Sequence, residues 1–140
     1  MKMRVNFISK SGQAQALAMA ISREYQCKSD SIPPAYPCEN EKLVFIGFEF
    51  GSCEKVVNTF CKTLTPERAK NVAFFATSSS GDKSFDSLIS VLKGNGVNVV
   101  SENFQLKVKS GLFSKGKISP EDEKAAMDWA KKIVDSLTDK

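Results

Sequence analysis

The sequence predicts an α/β fold, a doubly wound three-layer sandwich around a five-stranded parallel sheet of strand order 2-1-3-4-5. Two observations support this prediction. Strand-like and helix-like patterns alternate along the chain, and two of the strands, at residues 43–48 and 71–77, are nearly continuous apolar runs. Runs of that kind are typical of parallel strands that are covered by helices on both faces.

The first half of the chain contains three predicted strands. Residues 3–8 form an apolar strand, and residues 12–24 follow it with apolar side chains at helical spacing. Residues 25–41 contain three prolines, so we expect only a brief second strand near 26–31, followed by a loop. The third strand is the apolar run at 43–48.

The second half has clearer boundaries. Its predicted elements are, in order, a helix at 53–64, a turn or short capped helix at 65–67, a strand at 71–77, a helix at 85–92, a strand at 97–100 that continues irregularly to 108, and a helix at 120–137. The glycines of Gly94-Asn95-Gly96 suit the left-handed end of the third helix. Ser119 offers an N-cap and Pro120 a first helical residue, which makes the last helix the clearest of these elements.

Length and composition restrict the class of protein. A chain of 140 residues with 41% apolar residues fits a single domain spanning 1–140. No apolar run approaches the roughly 18 residues of a membrane span, and the N-terminus does not resemble a secretion signal. We therefore expect a cytoplasmic protein without a membrane partner.

The residue types that are missing also exclude reaction classes. The chain has no histidine, which excludes Ser-His-Asp and Cys-His nucleophilic sites and histidine-ligated metal centres. Its four cysteines lack C-x-x-C spacing, so we expect reduced thiols and no metal site. Any redox or transfer chemistry is then most simply supplied by a bound cofactor.

Three predicted strands end in loops rich in hydroxyl groups and glycine. The first strand runs into Ser9-Lys10-Ser11-Gly12-Gln13-Ala14, where a helix begins at once, so free backbone N–H groups and a helix dipole suit a phosphate. An ordinary helix cap is the alternative interpretation of Ser11-Gly12 alone. The other two loops are Glu49-Phe50-Gly51-Ser52 and Ser78-Ser79-Ser80-Gly81-Asp82. The predicted strand order brings all three loops to one edge of the sheet, where a ligand would bind.

Taken in chain order, these loops and the strands that lead into them resemble segments of the flavodoxin family. Members of that family bind FMN noncovalently and carry electrons between redox partners. Residues 9–14 are similar to the family's phosphate loop, and Ile46-Gly47-Phe48 followed by Gly51 is similar to the strand that enters the first flavin loop. Residues 76–82 resemble the second flavin loop, and residues 116–131 are similar to the last helix of flavodoxin-like proteins. The resemblance covers nearly the whole chain and implies the same fold as the strand and helix patterns.

The resemblance implies an FMN site and no catalytic side chain, because the flavin itself performs the redox chemistry. The implied phosphate-binding residues are Ser9, Lys10, Ser11, Gly12, Gln13 and Ala14. The implied flavin-ring residues are Phe48, Glu49, Phe50, Gly51 and Ser52 on one side and Thr77, Ser78, Ser79, Ser80, Gly81 and Asp82 on the other. Ala14 stands where the family has a hydroxyl residue, and Phe50 takes the place of the usual stacking tryptophan or tyrosine.

Three functions follow as hypotheses. The first is an FMN-binding electron carrier between a reductase and an acceptor oxidoreductase. The second is a flavodoxin-like module with weak or no FMN binding that acts as an interaction or regulatory partner of an oxidoreductase. The third is a stand-alone FMN-dependent reductase, which would oxidise NAD(P)H without any partner protein.

The distribution of charge bears on the partner. The net charge is +4, and Lys107, Lys109, Lys115 and Lys117 lie close together without an intervening acid. This stretch is either a basic patch for an acidic partner protein or a solvated loop. We expect no nucleic-acid binding, because aromatic residues are sparse there and the remaining charge is mixed.

Overall fold

The computed structural model describes residues 1–79, 83–108 and 118–138. Its elements are β1 (Met3–Phe7), α1 (Gln13–Tyr25), β2 (Lys28–Ser31), β3 (Glu41–Glu49), α2 (Glu54–Lys62), β4 (Ala69–Ser78), α3 (Asp86–Gly94), β5 (Asn98–Val99), β6 (Phe104–Lys107) and α4 (Pro120–Thr138). Three lysines of the basic stretch, Lys109, Lys115 and Lys117, lie outside the described residues.

The strands form one parallel sheet of order β2-β1-β3-β4-β5, and β6 also pairs with β4. The predicted order is confirmed. The last predicted strand is divided in two, since β4 pairs first with β5 and then, further along, with β6. Between these pairings, the Phe74 N–H donates to the side-chain oxygen of Asn103 at 2.9 Å, so a side chain replaces the strand carbonyl there.

Helices cover both faces of the sheet, as the apolar strands predicted. Side chains alternate along β3, so Leu43 and Phe45 pack beneath α1 and α4, while Ile46 and Phe48 pack beneath α2 and α3. In the α4 layer, Trp129 packs edge-on against Phe45 with ring centroids 5.6 Å apart. Together the two cores make the predicted three-layer sandwich.

One glycine in β3 is required by packing. A Cβ atom added to Gly47 would lie 2.1 Å from two ring atoms of Phe75, on the adjacent strand β4. Because the Phe75 ring is fully buried, the two strands can pair closely here only if position 47 lacks a side chain.

The segment that the sequence patterns left unresolved, residues 25–41, forms β2 and then a loop that crosses towards α2. Ile32 and Cys38 are buried, and the loop and α2 line an apolar cavity of about 380 Å³. All four cysteines are free thiols. In the described part of the chain, no helix has the length and apolar character needed to cross a bilayer.

Candidate functional site

The carboxyl ends of β1, β3 and β4 converge at one edge of the sheet, as the strand order predicted. The loops that follow these strands enclose an open cleft of about 390 Å³. Nine predicted site residues line the cleft: Lys10, Ser11, Gln13, Glu49, Phe50, Ser52, Thr77, Ser78 and Ser79. Ser80, Gly81 and Asp82 lie outside the described residues.

The loop at residues 9–14, here called the anion cradle, binds the carboxylate of Glu49. The backbone N–H groups of Lys10 and Ser11 donate to Glu49 Oε1 at 2.9 and 3.0 Å. The Ser11 hydroxyl and the Ala14 N–H donate to Oε2 at 2.7 and 3.2 Å, and the Ser9 hydroxyl donates to the same oxygen. The sequence predicted an anion site in this loop, and the anion that it holds belongs to the chain itself.

The other N–H groups of the anion cradle are also satisfied within the loop. The Gly12 N–H donates to the Ser9 hydroxyl oxygen at 3.0 Å, and the Gln13 N–H donates to the Ser11 hydroxyl oxygen at 3.1 Å. Gly12 has a φ of +90°, a conformation that a residue with a side chain rarely adopts. Every backbone N–H from residue 10 to residue 14 therefore has an acceptor, and two of those acceptors are the hydroxyls that themselves bind Glu49.

The anion cradle determines the ionisation of Glu49. Glu49 is only 7% exposed. Burial alone would raise its pKa, but the hydrogen bonds from Ser9, Ser11 and Lys10 outweigh burial and lower the pKa from 4.5 to about 2. The carboxylate is thus fully charged at neutral pH, with its charge compensated by the N-terminal end of α1.

The first flavin loop predicted from the sequence is anchored to the core through its phenylalanines. Phe48 is fully buried and packs in the α2 and α3 layer, so it lies away from the cleft. Phe50 lines the cleft, with its ring centroid 4.8 Å from that of Phe48 and 5.2 Å from that of Phe85. Its N–H donates to the Thr77 carbonyl at 2.9 Å, which ties this loop to the end of β4.

The end of β4 contributes an unsatisfied polar group. The Thr77 side chain is 1% exposed, and its hydroxyl has no hydrogen-bond partner among residues 1–79, 83–108 and 118–138. Thr77 is also one of the residues that line the cleft, so this unsatisfied group belongs to the candidate site.

Sequence patterns missed two features of the site. The first is the position of Glu49, whose carboxylate we expected beside a flavin ring. A buried carboxylate at the end of a strand needs hydrogen-bond donors nearby. The serines of residues 9–14 were the sequence signal that this loop could supply them. The second is Gln105 on β6. Its side-chain oxygen accepts a hydrogen bond from the Lys83 N–H and its side-chain nitrogen donates one to the Lys83 carbonyl, both at 2.8 Å, which fixes Lys83 against β6.

No protein-family model matches the sequence, and no curated protein matches it. Solved structures do match. A flavodoxin from the domain Archaea superimposes with a TM-score of 0.69 at 12% identity, over 99% of both chains. Flavodoxin 2 from Bacillus cereus gives 0.65 at 13% identity, over 97% of this chain and 99% of its own. Rubredoxin oxygen:oxidoreductase from Desulfovibrio gigas gives 0.66 at 14% identity, over 98% of this chain and 36% of that larger one. The element order, the sheet topology and these superpositions agree: the chain has the flavodoxin-like fold.

Proposed function

We propose that the protein binds a flavin in the cleft and carries electrons between two redox proteins, a reductase and an acceptor oxidoreductase. One observation carries this proposal: three loops converge at the end of the sheet on a cleft lined by Thr77, whose buried hydroxyl has no hydrogen-bond partner in the described part of the chain. In open α/β sheets, ligands bind at this edge, beside the point where the strand order reverses. The structural neighbours support the proposal, since two of the three described above are flavodoxins.

The cleft fits the two halves of FMN unequally. Among the residues that line the cleft, Phe50 offers an apolar ring surface and Ser52, Thr77 and Ser79 are polar, which suits a flat ring with polar edges. The anion cradle, where the phosphate of FMN would bind, already holds the Glu49 carboxylate. The residues present fit a flavin ring, and they do not fit the phosphate while Glu49 stays in place.

The bound flavin would supply the one- and two-electron chemistry, and the chain would supply position and charge. Phe50 is held by its contacts with Phe48 and Phe85, so it presents a fixed surface to the ring. The Thr77 hydroxyl is available to donate or accept one hydrogen bond. The ionised Glu49 places a negative charge beside the cleft, which disfavours added negative charge on a nearby ligand.

The visible absorption spectrum of the purified protein tests this proposal. The protein is measured as isolated, and again after incubation with riboflavin or FMN and gel filtration. A retained flavin that is reduced only slowly by NAD(P)H alone supports an electron carrier. Rapid reduction by NAD(P)H without a partner would instead favour the stand-alone reductase.

A second function is favoured by the internally filled anion cradle. A flavodoxin-like module that does not bind FMN would need another anion to stabilise the N-terminal end of α1, and the Glu49 carboxylate is such an anion. Such a module would act as an interaction or regulatory partner of an oxidoreductase. A colourless protein that retains neither flavin would support this function and contradict the first.

A further inference from the structure

We propose that Glu49 closes the anion cradle to phosphate and thereby makes the cleft selective for flavins without a phosphate, of which riboflavin is the simplest. This inference rests on the proposed flavin-binding function and specifies its ligand.

The hydrogen-bond donors that a phosphate would need are already occupied in the anion cradle. A bound phosphate needs several N–H or O–H groups, and a helix N-terminus usually offers them free. Here the N–H groups of Lys10, Ser11 and Ala14 donate to Glu49, and those of Gly12 and Gln13 donate to serine hydroxyls of the same loop. An incoming phosphate would therefore find no free N–H between residues 10 and 14 until the carboxylate leaves.

The backbone on both sides of Glu49 holds it in this position. Glu49 is the last residue of β3, and its carboxyl-side neighbour Phe50 is fixed by the hydrogen bond to the Thr77 carbonyl and by two ring contacts. The preceding residue, Phe48, is fully buried. Only the side chain of Glu49 is then free to rotate, so a displaced carboxylate would remain close to the phosphate and repel it.

Little positive charge is available among the described residues of the cleft to reverse this preference. Lys10 is the only lysine or arginine among the described residues that line the cleft, and its side chain is exposed. An exposed ammonium is strongly screened by water and salt, so it compensates weakly for a buried carboxylate. A flavin that ends in a neutral ribityl chain avoids the repulsion and can still place its ring against Phe50.

The test compares riboflavin with FMN by quenching of flavin fluorescence at neutral pH and physiological salt. For the natural chain, we expect riboflavin to bind about tenfold or more tightly than FMN. In Glu49→Ser, the carboxylate is gone and the donors are free, so FMN affinity is expected to rise about tenfold or more, with a much smaller change for riboflavin. Glu24→Gln, which removes one exposed carboxylate from α1, is the matched control and is expected to leave both affinities unchanged.

The outcomes separate the two proposals. FMN binding at least as tight as riboflavin binding to the natural chain would overturn the selectivity while leaving the flavin function intact. Failure of both flavins to bind the natural chain would overturn the flavin function and the selectivity with it. The comparison on the natural chain needs no variant, so it decides the inference even if Glu49→Ser does not fold.

Discussion

Replacing Glu49 by glutamine tests how strongly the anion cradle stabilises the fold. Glutamine keeps the size and shape of the side chain and removes its charge. A pKa that falls from 4.5 to about 2 on folding corresponds to about 3 kcal/mol of stability at neutral pH, since each pKa unit is worth about 1.4 kcal/mol. We therefore expect Glu49→Gln to lower the free energy of unfolding by about that amount at pH 7.

The pH dependence identifies the cause of this loss. Because the pKa is lower in the folded state, the ionised carboxylate contributes its full stability above about pH 4.5 and loses it as the pH falls towards 2. The difference between natural chain and variant should fall to less than half of its neutral value near pH 3. Urea unfolding followed by circular dichroism, repeated from about pH 7 to about pH 3, measures this difference.

Two results would refute the reasoning. A difference that stays constant over that pH range would mean that shape rather than charge explains the loss. The same loss in Glu24→Gln, whose carboxylate is exposed on α1, would mean that net charge rather than the anion cradle is responsible.

Three further predictions concern the rest of the fold. Gly47→Ala should lower the free energy of unfolding by about 1–3 kcal/mol or more in urea titrations, because its Cβ would lie 2.1 Å from the buried Phe75 ring. Trp129→Phe should cost at least about 1 kcal/mol in the same assay, since Trp129 Nε1 donates to the Glu102 carbonyl at 2.8 Å. Burial raises the pKa of the Cys61 thiol to about 12, so iodoacetamide at pH 8 should modify it only after unfolding, as followed by mass spectrometry.

The central strands were predictable because both of their faces are buried. That environment requires apolar residues at successive positions, and such runs mark β3 and β4 in the sequence. The edge strand β2 has the sequence Lys-Ser-Asp-Ser and none of its residues is fully buried, so no apolar pattern marks it. The last strand is divided at Asn103, whose side-chain oxygen pairs with β4 where a backbone carbonyl would otherwise do so. No periodicity in the sequence indicates this hydrogen bond.

The candidate site was predictable as a location and less so as an arrangement. Strand order alone brings the three loops together, which is why nine predicted residues line one cleft. The Glu49 side chain points towards the anion cradle because residues 9–14 donate hydrogen bonds to it. Those donors lie about 40 positions earlier in the chain, so the local sequence around Glu49 does not indicate this direction. Phe48 lies in the core because it is within β3, on the face that α2 and α3 cover, whereas Phe50 follows the end of the strand and lines the cleft.

The two edges of the sheet have a consequence for behaviour at high concentration. A long, flat edge strand exposes unpaired N–H and C=O groups on which another chain can form a strand, and aggregation follows. Here one edge is the four-residue strand β2, with Lys28 and Asp30 in it, and the other edge consists of two short strands separated at Asn103. Among the residues that the structure describes, neither edge offers a second molecule a continuous row of partners, so the folded chain should resist aggregation by strand addition in concentrated solution.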